Sequence, residues 1–321
     1  MTLKAVAYID LLGFSRCVMN NPEEAIMMLT HFNTILSSLS FERVVHPSAG
    51  YPPALQALAR RTSNESFEHF MPFSDSVFLA SSNCSDFIMQ LGSFVRQSFL
   101  LNARVFTHPE NPDDPTASHT IGLDTSNPND IKTVEIPCHE PPVLFRGGIA
   151  YGEVVETKPM GMFNGQKTVC NNLMGEAVVR AVGMEKILKG PRLMFDQSVY
   201  DQLNDEAKLY VRHIPEKEYA DYYEILWPAM GYVLENKNTL TQEMNHFYEL
   251  FTPAYNLWKF YKGGDVAVQY ERFMELIVAS AVQIYTKTGY RDFILQEMAK
   301  VLGSRFTEAE KTVIFEVHLI K

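Results

Sequence analysis

The sequence predicts an α+β fold of the ferredoxin-like or palm type, with a βαββαβ core, a long surface insertion and an α-helical C-terminal extension. Segments with strand, helix, hairpin, helix and strand character follow one another in that order. A stretch at about 104–142 is rich in Pro, Asn, Asp, Ser and Thr, which is typical of an insertion. Beyond Tyr232 the apolar spacing is helical to the chain end. We therefore expect a core domain at 1–230 and a helical extension at 231–321.

The first strand and the first helix have clear local signals. Residues Lys4 to Leu12 are apolar enough for a buried strand, and Gly13 ends it. Asn21 can cap the helix that follows, and Pro22 suits its first position. Apolar residues then recur at helical spacing, so this segment is expected to pack one face on the sheet.

A β-hairpin is predicted next. Two short apolar runs, 67–71 and 77–80, flank Pro72-Phe73-Ser74-Asp75, which is turn chemistry with a carboxylate near the tip. In a βαββαβ sheet the first strand lies centrally beside this hairpin, so Asp10 and Asp75 should meet at one sheet edge. The later predicted elements are a helix over 87–99, a strand over 143–156, a helix over 172–188, a strand over 191–195, a short helix over 198–203 and a last helix opened by a capping box at Thr307 to Glu310.

Composition excludes several function classes. The chain carries 28 Lys and Arg against 38 Asp and Glu, a net charge of −10, so a nucleic-acid or anionic-membrane partner is not expected. The apolar run from Phe273 to Tyr285 is too short and polar for membrane insertion, and Asp10 interrupts the early apolar run, which argues against a signal peptide. The four cysteines form no CxxC pair. We expect a cytoplasmic protein.

Asp10 and Asp75 are candidate ligands of a divalent metal. A carboxylate followed by Leu11-Leu12-Gly13-Phe14-Ser15 combines one metal ligand with a run of backbone N–H groups that can cradle phosphate. Taken singly, each Asp can equally be an ordinary turn residue. The predicted topology, which brings the two together, favours the metal site.

Four motifs in order resemble those of class III nucleotidyl cyclases, the adenylate and guanylate cyclase superfamily. Y-I-D-L-L-G-F-S resembles the opening F-x-D-x-x-G-F-[ST], and F-S-D-S-V-F resembles the family's hairpin motif. R-G-G-I-A-Y-G-E-V resembles R-V-G-I-x-x-G-x-V, and G-E-A-V-V-R-A-V-G-M-E resembles G-x-x-V-N-x-A-x-R-M-E. Together they cover about Met1 to Leu203.

The resemblance implies a metal and phosphate site. Asp10 and Asp75 would hold two divalent ions, Mn²⁺ or Mg²⁺, with the Leu11 carbonyl completing one of the two coordination spheres. The amides of Phe14 and Ser15 would cradle phosphate. Such a site cyclises a nucleoside triphosphate and releases pyrophosphate.

The resemblance also assigns the positions that bind the triphosphate and read the base. Arg146 and Arg192 match the two phosphate-binding cations. Met71 and Asn172 stand where the family selects its purine, and they form neither the adenine-reading nor the guanine-reading pair. Asn can both donate and accept hydrogen bonds, which suits a pyrimidine edge. The chain thus resembles the pyrimidine cyclases of the Pycsar antiphage system, with UTP favoured over CTP and a product that acts on a separate effector.

The family's transition-state Asn and Arg fall on Val179 and Gly183. Three explanations stay open: Arg180 or a cation of the 46–62 loop (Arg60 or Arg61) substitutes, catalysis relies on metal alone, or the site is degenerate. An ordinary purine cyclase and a cyclase-like module that senses a nucleotide without turnover are the alternative functions. A diguanylate cyclase is disfavoured because no G-G-[DE]-E-F motif occurs.

The resemblance finally implies a head-to-tail homodimer with two composite sites. In such a dimer the metal and phosphate residues of one chain face the base-reading residues of its partner. The first chain would provide Asp10, Asp75 and Arg146, and the second Met71, Asn172 and Arg192.

Overall fold

The structure is a computed structural model of the chain. It describes residues 1–41, 50–111, 113–124, 126, 132–157, 160–163, 166–169, 172–187, 189–232 and 240–305.

The described residues form strands and helices in mixed order. The strands are β1 (Thr2–Leu11), β2 (His69–Phe73), β3 (Ser76–Ser81), β4 (Ala117–Asp124), β5 (Lys132–His139), β6 (Phe145–Thr157), β7 (Met160–Phe163), β8 (Gln166–Val169), β9 (Asn172–Met174), β10 (Leu193–Asp196), β11 (Val211–His213) and β12 (Tyr222–Ile225). The α-helices are α1 (Phe14–Asn20), α2 (Pro22–Phe41), α3 (Pro53–Thr62), α4 (Cys84–Thr107), α5 (Glu176–Glu185), α6 (Gln197–Tyr200), α7 (Asp205–Lys208), α8 (Leu240–Tyr261), α9 (Ala267–Lys287) and α10 (Arg291–Arg305). Two short 3₁₀ segments are Lys217–Tyr219 and Trp227–Gly231.

The main sheet confirms the predicted α+β core. Its strand order is β11-β12-β10-β6-β1-β3-β2, and β1 is antiparallel to both β3 and β6. The order β6-β1-β3-β2, with α1, α2 and α3 in the first helical connection and α4 in the second, is the βαββαβ arrangement expected from the sequence. The central place of β1 follows from its composition, since it is buried on both faces.

The two faces of β1 pack against different helices. Ala5, Ala7 and Ile9 lie in the large core that includes residues of α2 and α4. Val6 lies in a smaller core on the opposite face with residues of α5, and Tyr8 packs against it. Because side chains alternate along a strand, Asp10 falls on the same face as α5.

Three predicted elements differ in detail. A separate helix α1 precedes α2, because Gly13 adopts a left-handed φ of 89° and turns the chain at once. The helix predicted over 172–188 begins only at Glu176, since β9 pairs with β6 before it. Within the 104–142 insertion, α4 continues to Thr107, and β4 and β5 form a two-stranded sheet of their own.

The C-terminal helices pack on the core. The Arg96 side chain of α4 is buried and contacts Glu249 and His246 of α8. Phe99 of α4 meets Phe273 of α9 edge-on at 4.9 Å between ring centroids. The large core therefore continues into the extension, and a domain boundary at 230 stays a prediction.

Two further predictions concern the chain end and the membrane. The capping box at 307–310 lies outside the described residues. Among the helices that the structure describes, none combines the length and the apolar character needed to cross a membrane.

Candidate metal and nucleotide site

Asp10 and Asp75 lie at one edge of the sheet. Asp10 is near the end of β1, opposite Ser76 of β3 and Arg146 of β6. Asp75 is in the β2–β3 turn, and its carbonyl accepts a hydrogen bond of 2.9 Å from the Leu11 amide. Ser74, beside it, has a φ of 56°, which is what allows so tight a turn. The structure thus brings the two carboxylates together as the topology predicts.

Neighbouring charge and burial act on Asp10. Burial, together with the nearby Asp75 and Glu185 carboxylates, raises the pKa of Asp10 to about 7, against the lowering effect of Arg146. The nearest guanidinium nitrogen of Arg146 is 3.7 Å from the Asp10 carboxylate. The Asp10, Asp75 and Glu185 carboxylates outnumber the nearby cations Arg146 and Lys186, and a bound metal cation would relieve their repulsion.

Glu185 is the residue that sequence reasoning missed. It is the last residue of α5, its side chain is 1% exposed, and it forms an ion pair with Arg146. A buried carboxylate is costly unless it is paired, so this contact fixes the orientation of Arg146 at the sheet edge. The available signal was the final Glu of the G-E-A-V-V-R-A-V-G-M-E motif.

The donor set fits a hard divalent cation. Mg²⁺ is usually held by one or two carboxylates together with substrate phosphates and water, rather than by a complete protein cage. In the part of the chain that the structure describes, no group of three or more His, Cys, Asp or Glu side chains surrounds a common metal position. Asp10 and Asp75 suit Mg²⁺ or Mn²⁺ on this pattern, and the Leu11 carbonyl as a further ligand stays a prediction.

A cavity of about 940 Å³ opens beside Asp10. Phe14 and Ser15 line it from the start of α1, where backbone N–H groups have no partner within the helix. Arg146 lines it from β6. The cavity is large enough for a nucleotide-sized ligand.

The other predicted arginines are held by carboxylates. Arg192 is 3% exposed, and its guanidinium donates to Glu224 at 2.5 and 2.9 Å and to Glu216 at 2.6 and 3.2 Å. Arg180 forms an ion pair with Asp196 and donates to the Ser198 hydroxyl at 2.9 Å. Both contacts are structural, and neither arginine lines the cavity in the described residues. Their roles toward substrate stay predictions.

Arg60 and Arg61 do not line the cavity, and neither do Val179 and Gly183, which stand at the positions of the family's transition-state residues. Arg61 is buried, and its guanidinium donates to the Tyr232 carbonyl at 2.8 Å, while Arg60 pairs with Glu206 at 3.4 Å. Val179 is 71% exposed on α5. A Cβ at Gly183 would meet nothing within 4 Å.

The base-reading candidates lie on the sheet but not at the Asp pair. Met71 of β2 pairs with Phe78 of β3, two register positions from the last pair of the hairpin and on the face that carries Tyr8. Asn172 is exposed and pairs with Thr157 at the far end of β6. At roughly 3.3 Å per residue, that end is about 35 Å along the strand from Arg146. One chain therefore does not bring Asn172 to its own metal edge.

Comparison with known proteins gives fold likeness only. No family model matches the sequence, and no curated protein matches it. A bacterial light-regulated adenylyl cyclase aligns with a TM-score of 0.37 and 14% identity over 76% of this chain and 96% of that one.

Two further solved structures are similar at the same level. The adenylyl cyclase CyaB from P. aeruginosa aligns with a TM-score of 0.38 and 12% identity over 70% of this chain and 93% of that one. A monomeric double mutant of the guanylyl cyclase domain of the RhoGC fusion protein from the aquatic fungus Blastocladiella emersonii aligns with a TM-score of 0.39 and 12% identity over 70% and 93%. At these values the function has to be argued from the residues of this chain.

Proposed function

We propose that the protein is a nucleotidyl cyclase that converts a pyrimidine nucleoside triphosphate, preferably UTP, to the 3′,5′-cyclic monophosphate and pyrophosphate. The observation that carries the proposal is the meeting of Asp10 and Asp75 at one sheet edge, beside Arg146 and an open cavity. Paired carboxylates next to an arginine are the elements that phosphoryl-transfer sites use to handle a polyphosphate.

The chemistry is an in-line displacement. The ribose 3′-oxygen attacks the α-phosphorus and forms a new P–O bond, while the bond to the β-phosphate oxygen breaks and pyrophosphate leaves with its electrons. The hydroxyl proton passes to water. Divalent cations at Asp10 and Asp75, when bound, lower the pKa of the 3′-hydroxyl and neutralise the triphosphate.

The residues of this chain position the reaction. Arg146, oriented by its buried contact with Glu185, offers its guanidinium to the triphosphate. Phe14 and Ser15 line the cavity, and in this proposal their backbone amides at the start of α1 donate to phosphate oxygens. Arg180 substitutes for the missing transition-state residues only if it leaves Asp196, so we place it last among the candidates.

The base site belongs to a head-to-tail homodimer in this proposal. Met71 lies half-buried on a face whose hairpin end also carries Phe73, which is 73% exposed. In such a dimer the partner would cover both side chains. Asn172, far from the Asp pair of its own chain, would then read the base at the partner's metal edge, and Arg192 stays with it as a predicted phosphate contact.

The experiment is incubation of the full chain with each of the four triphosphates and Mn²⁺, with chromatographic identification of products. We expect cyclic UMP, and no product from Asp10→Ala or Asp75→Ala. Asp221→Ala is the matched control, because it removes an exposed carboxylate elsewhere on the surface. Unimpaired cyclisation by either site variant would rule out the metal assignment.

The alternatives give different results in the same assay. A purine cyclase would yield cyclic AMP or cyclic GMP as the main product. A nucleotide-sensing module would bind a triphosphate and release nothing. The exposed Val179 and the open Gly183, at the positions of the family's transition-state residues, are the observations that favour this second alternative.

Subunit mixing tests the dimer. Asp75→Ala removes a metal ligand, and Asn172→Arg blocks the base site at an exposed position that tolerates a larger side chain. In a mixed dimer one site contains both substitutions and the other contains neither. At equal mixing about half of the dimers are mixed, so the mixture should regain about a quarter of wild-type activity. If both variants are inactive and exchange occurs, a silent mixture would contradict the shared site.

The biological setting is also part of the proposal. A cyclic pyrimidine nucleotide would act as a second messenger on a separate effector protein, in defence against phage. The insertion, the helical extension and the non-purine pair Met71 and Asn172, which together resemble the Pycsar cyclases, support this setting. Cyclic UMP that accumulates in infected cells, and fails to do so with Asp10→Ala, is the expected result.

A further inference from the structure

The cavity beside Asp10 is closed on one side by the C-terminal extension. Helix α8 contributes Tyr261 to its wall, the turn between α8 and α9 contributes Asp265 and Val266, and α9 contributes Gln269 and Tyr270. These helices follow the βαββαβ core in sequence and are not needed to complete its sheet. Their presence at the wall places them within reach of a ligand in this cavity.

Helix α9 also fixes the loop that carries Lys189. The Gly190 amide donates a hydrogen bond of 2.5 Å to the side-chain oxygen of Gln269. Gly190 has a φ of 90°, and a Cβ there would come within 2.6 Å of the Arg272 side chain, so the loop backbone lies directly against α9. On its other side, the Trp227 indole donates to the Pro191 carbonyl at 2.7 Å. The loop is therefore held from two directions.

Lys189 is a cation at this cavity that has no anionic partner among the described residues. The described lining contains three cationic side chains, those of Arg16, Arg146 and Lys189. Arg146 contacts the carboxylates of Asp10 and Glu185. The guanidinium of Arg16 lies 3.8 Å from the Asp265 carboxylate. Among the described residues, no hydrogen bond or ion pair involves the Lys189 ammonium, and the side chain is exposed to the cavity. A lysine whose backbone is held in place and whose ammonium group has no described partner is suited to bind an anion.

We propose that Lys189 binds the β- and γ-phosphates of the substrate and that α9 positions it, so that the C-terminal extension is part of the nucleotide site. This inference rests on the proposed function. Its physical reason is charge: Arg146 is already offset by two carboxylates, and a triphosphate requires further positive charge on the protein side of the cavity. The lysine ammonium binds phosphate as a compact point charge, so it does not need the fixed orientation that a planar guanidinium needs.

The test uses inorganic tripolyphosphate with Mn²⁺, which reports on phosphate binding without any turnover. Calorimetry on the full chain, at one fixed ionic strength, compares the wild type with Lys189→Ala, Lys189→Arg and Gln269→Leu. We expect Lys189→Ala to weaken binding about ten-fold or more, because a hydrogen bond to a charged group is lost. Lys189→Arg should restore most of it, and Gln269→Leu, which releases the loop, should weaken it several-fold.

Two controls complete the design. Lys300→Ala removes a lysine of α10 that pairs with Glu297 and does not line the cavity, and it should leave the affinity unchanged. Thermal melts without ligand should show no change for Lys189→Ala, since the side chain is exposed. A purely structural role for the loop would move the melting temperature and not the affinity.

The outcomes separate this inference from the proposed function. Wild-type affinity in Lys189→Ala, or no tripolyphosphate binding by the wild type, would overturn the role of Lys189. If Lys189→Ala loses binding while the wild type cyclises no triphosphate, the phosphate site stands and the cyclase proposal falls. If the wild type cyclises a triphosphate and Lys189→Ala leaves both the KM and the tripolyphosphate affinity unchanged, the cyclase proposal stands and this inference falls.

Discussion

Replacement of Glu224 by glutamine should destabilise the protein strongly. Glu224 is fully buried on β12, and its carboxylate accepts hydrogen bonds from Arg192 at 2.5 and 2.9 Å and from Arg212 at 2.7 Å. Burial alone would raise the pKa of Glu224, but the two guanidinium groups outweigh it and hold the pKa below its ordinary value. Arg212 also lies 3.9 Å from Glu275, which connects this cluster to α9.

The magnitude follows from the charges left behind. Glu224→Gln keeps the shape of the side chain but leaves Arg192, which is 3% exposed, without its main counter-charge. Removal of one partner from a buried pair costs about 3–5 kcal/mol. For 321 residues, an unfolding entropy of about 2.1 cal/mol/K per residue converts that loss into a fall in Tm of roughly 4 to 7 °C.

The assay is a denaturant titration and a thermal melt of both proteins. Glu216→Gln is the matched control, because Glu216 contacts the same arginine but is 27% exposed, and its loss should cost about 1 kcal/mol or less. Equal destabilisation by the two variants, or a wild-type Tm in Glu224→Gln, would refute the view that burial determines how much each ion pair of Arg192 stabilises the protein.

Two glycines and one surface carboxylate give the remaining predictions. Gly148→Ala should lower the free energy of unfolding by about 1–3 kcal/mol in a denaturant titration, because its Cβ would overlap the backbone of α5. Gly183→Ala on the exposed side of α5 should raise it by about 0.5–1 kcal/mol in the same titration, since nothing lies within 4 Å and alanine is the better helix former. Burial of Glu68 opposes its ionisation, but hydrogen bonds from Lys4 and Ser82 outweigh this effect and lower its pKa to about 2. The stability that the ionised Glu68 contributes is therefore complete above its ordinary pKa and is lost as the pH falls toward 2. Over that pH range the Tm of Glu68→Gln should fall less than the Tm of the wild type. Parallel falls in Tm would contradict this prediction.

The amino-acid sequence by itself determined the core topology and the meeting of the two carboxylates. Strand and turn patterns are local, so β1, the β2–β3 hairpin and the order of elements could be read from neighbouring residues. Once β1 is central, Asp10 and Asp75 must approach each other whatever the loops do. The strands inside the insertion were missed because short polar hairpins carry little apolar pattern.

The tertiary structure decided which charges are available for binding. Arg146 and Arg192 look alike in the sequence, yet the first lines the cavity and the second is buried between two carboxylates. Lys189 and Gln269 are 80 residues apart, and only the packing of α9 brings both to the wall of the cavity. The physical reason is that strand and helix patterns depend on neighbours in sequence, whereas ion pairs depend on neighbours in space. A residue's partner, and hence whether its charge is free, appears only when the chain is folded.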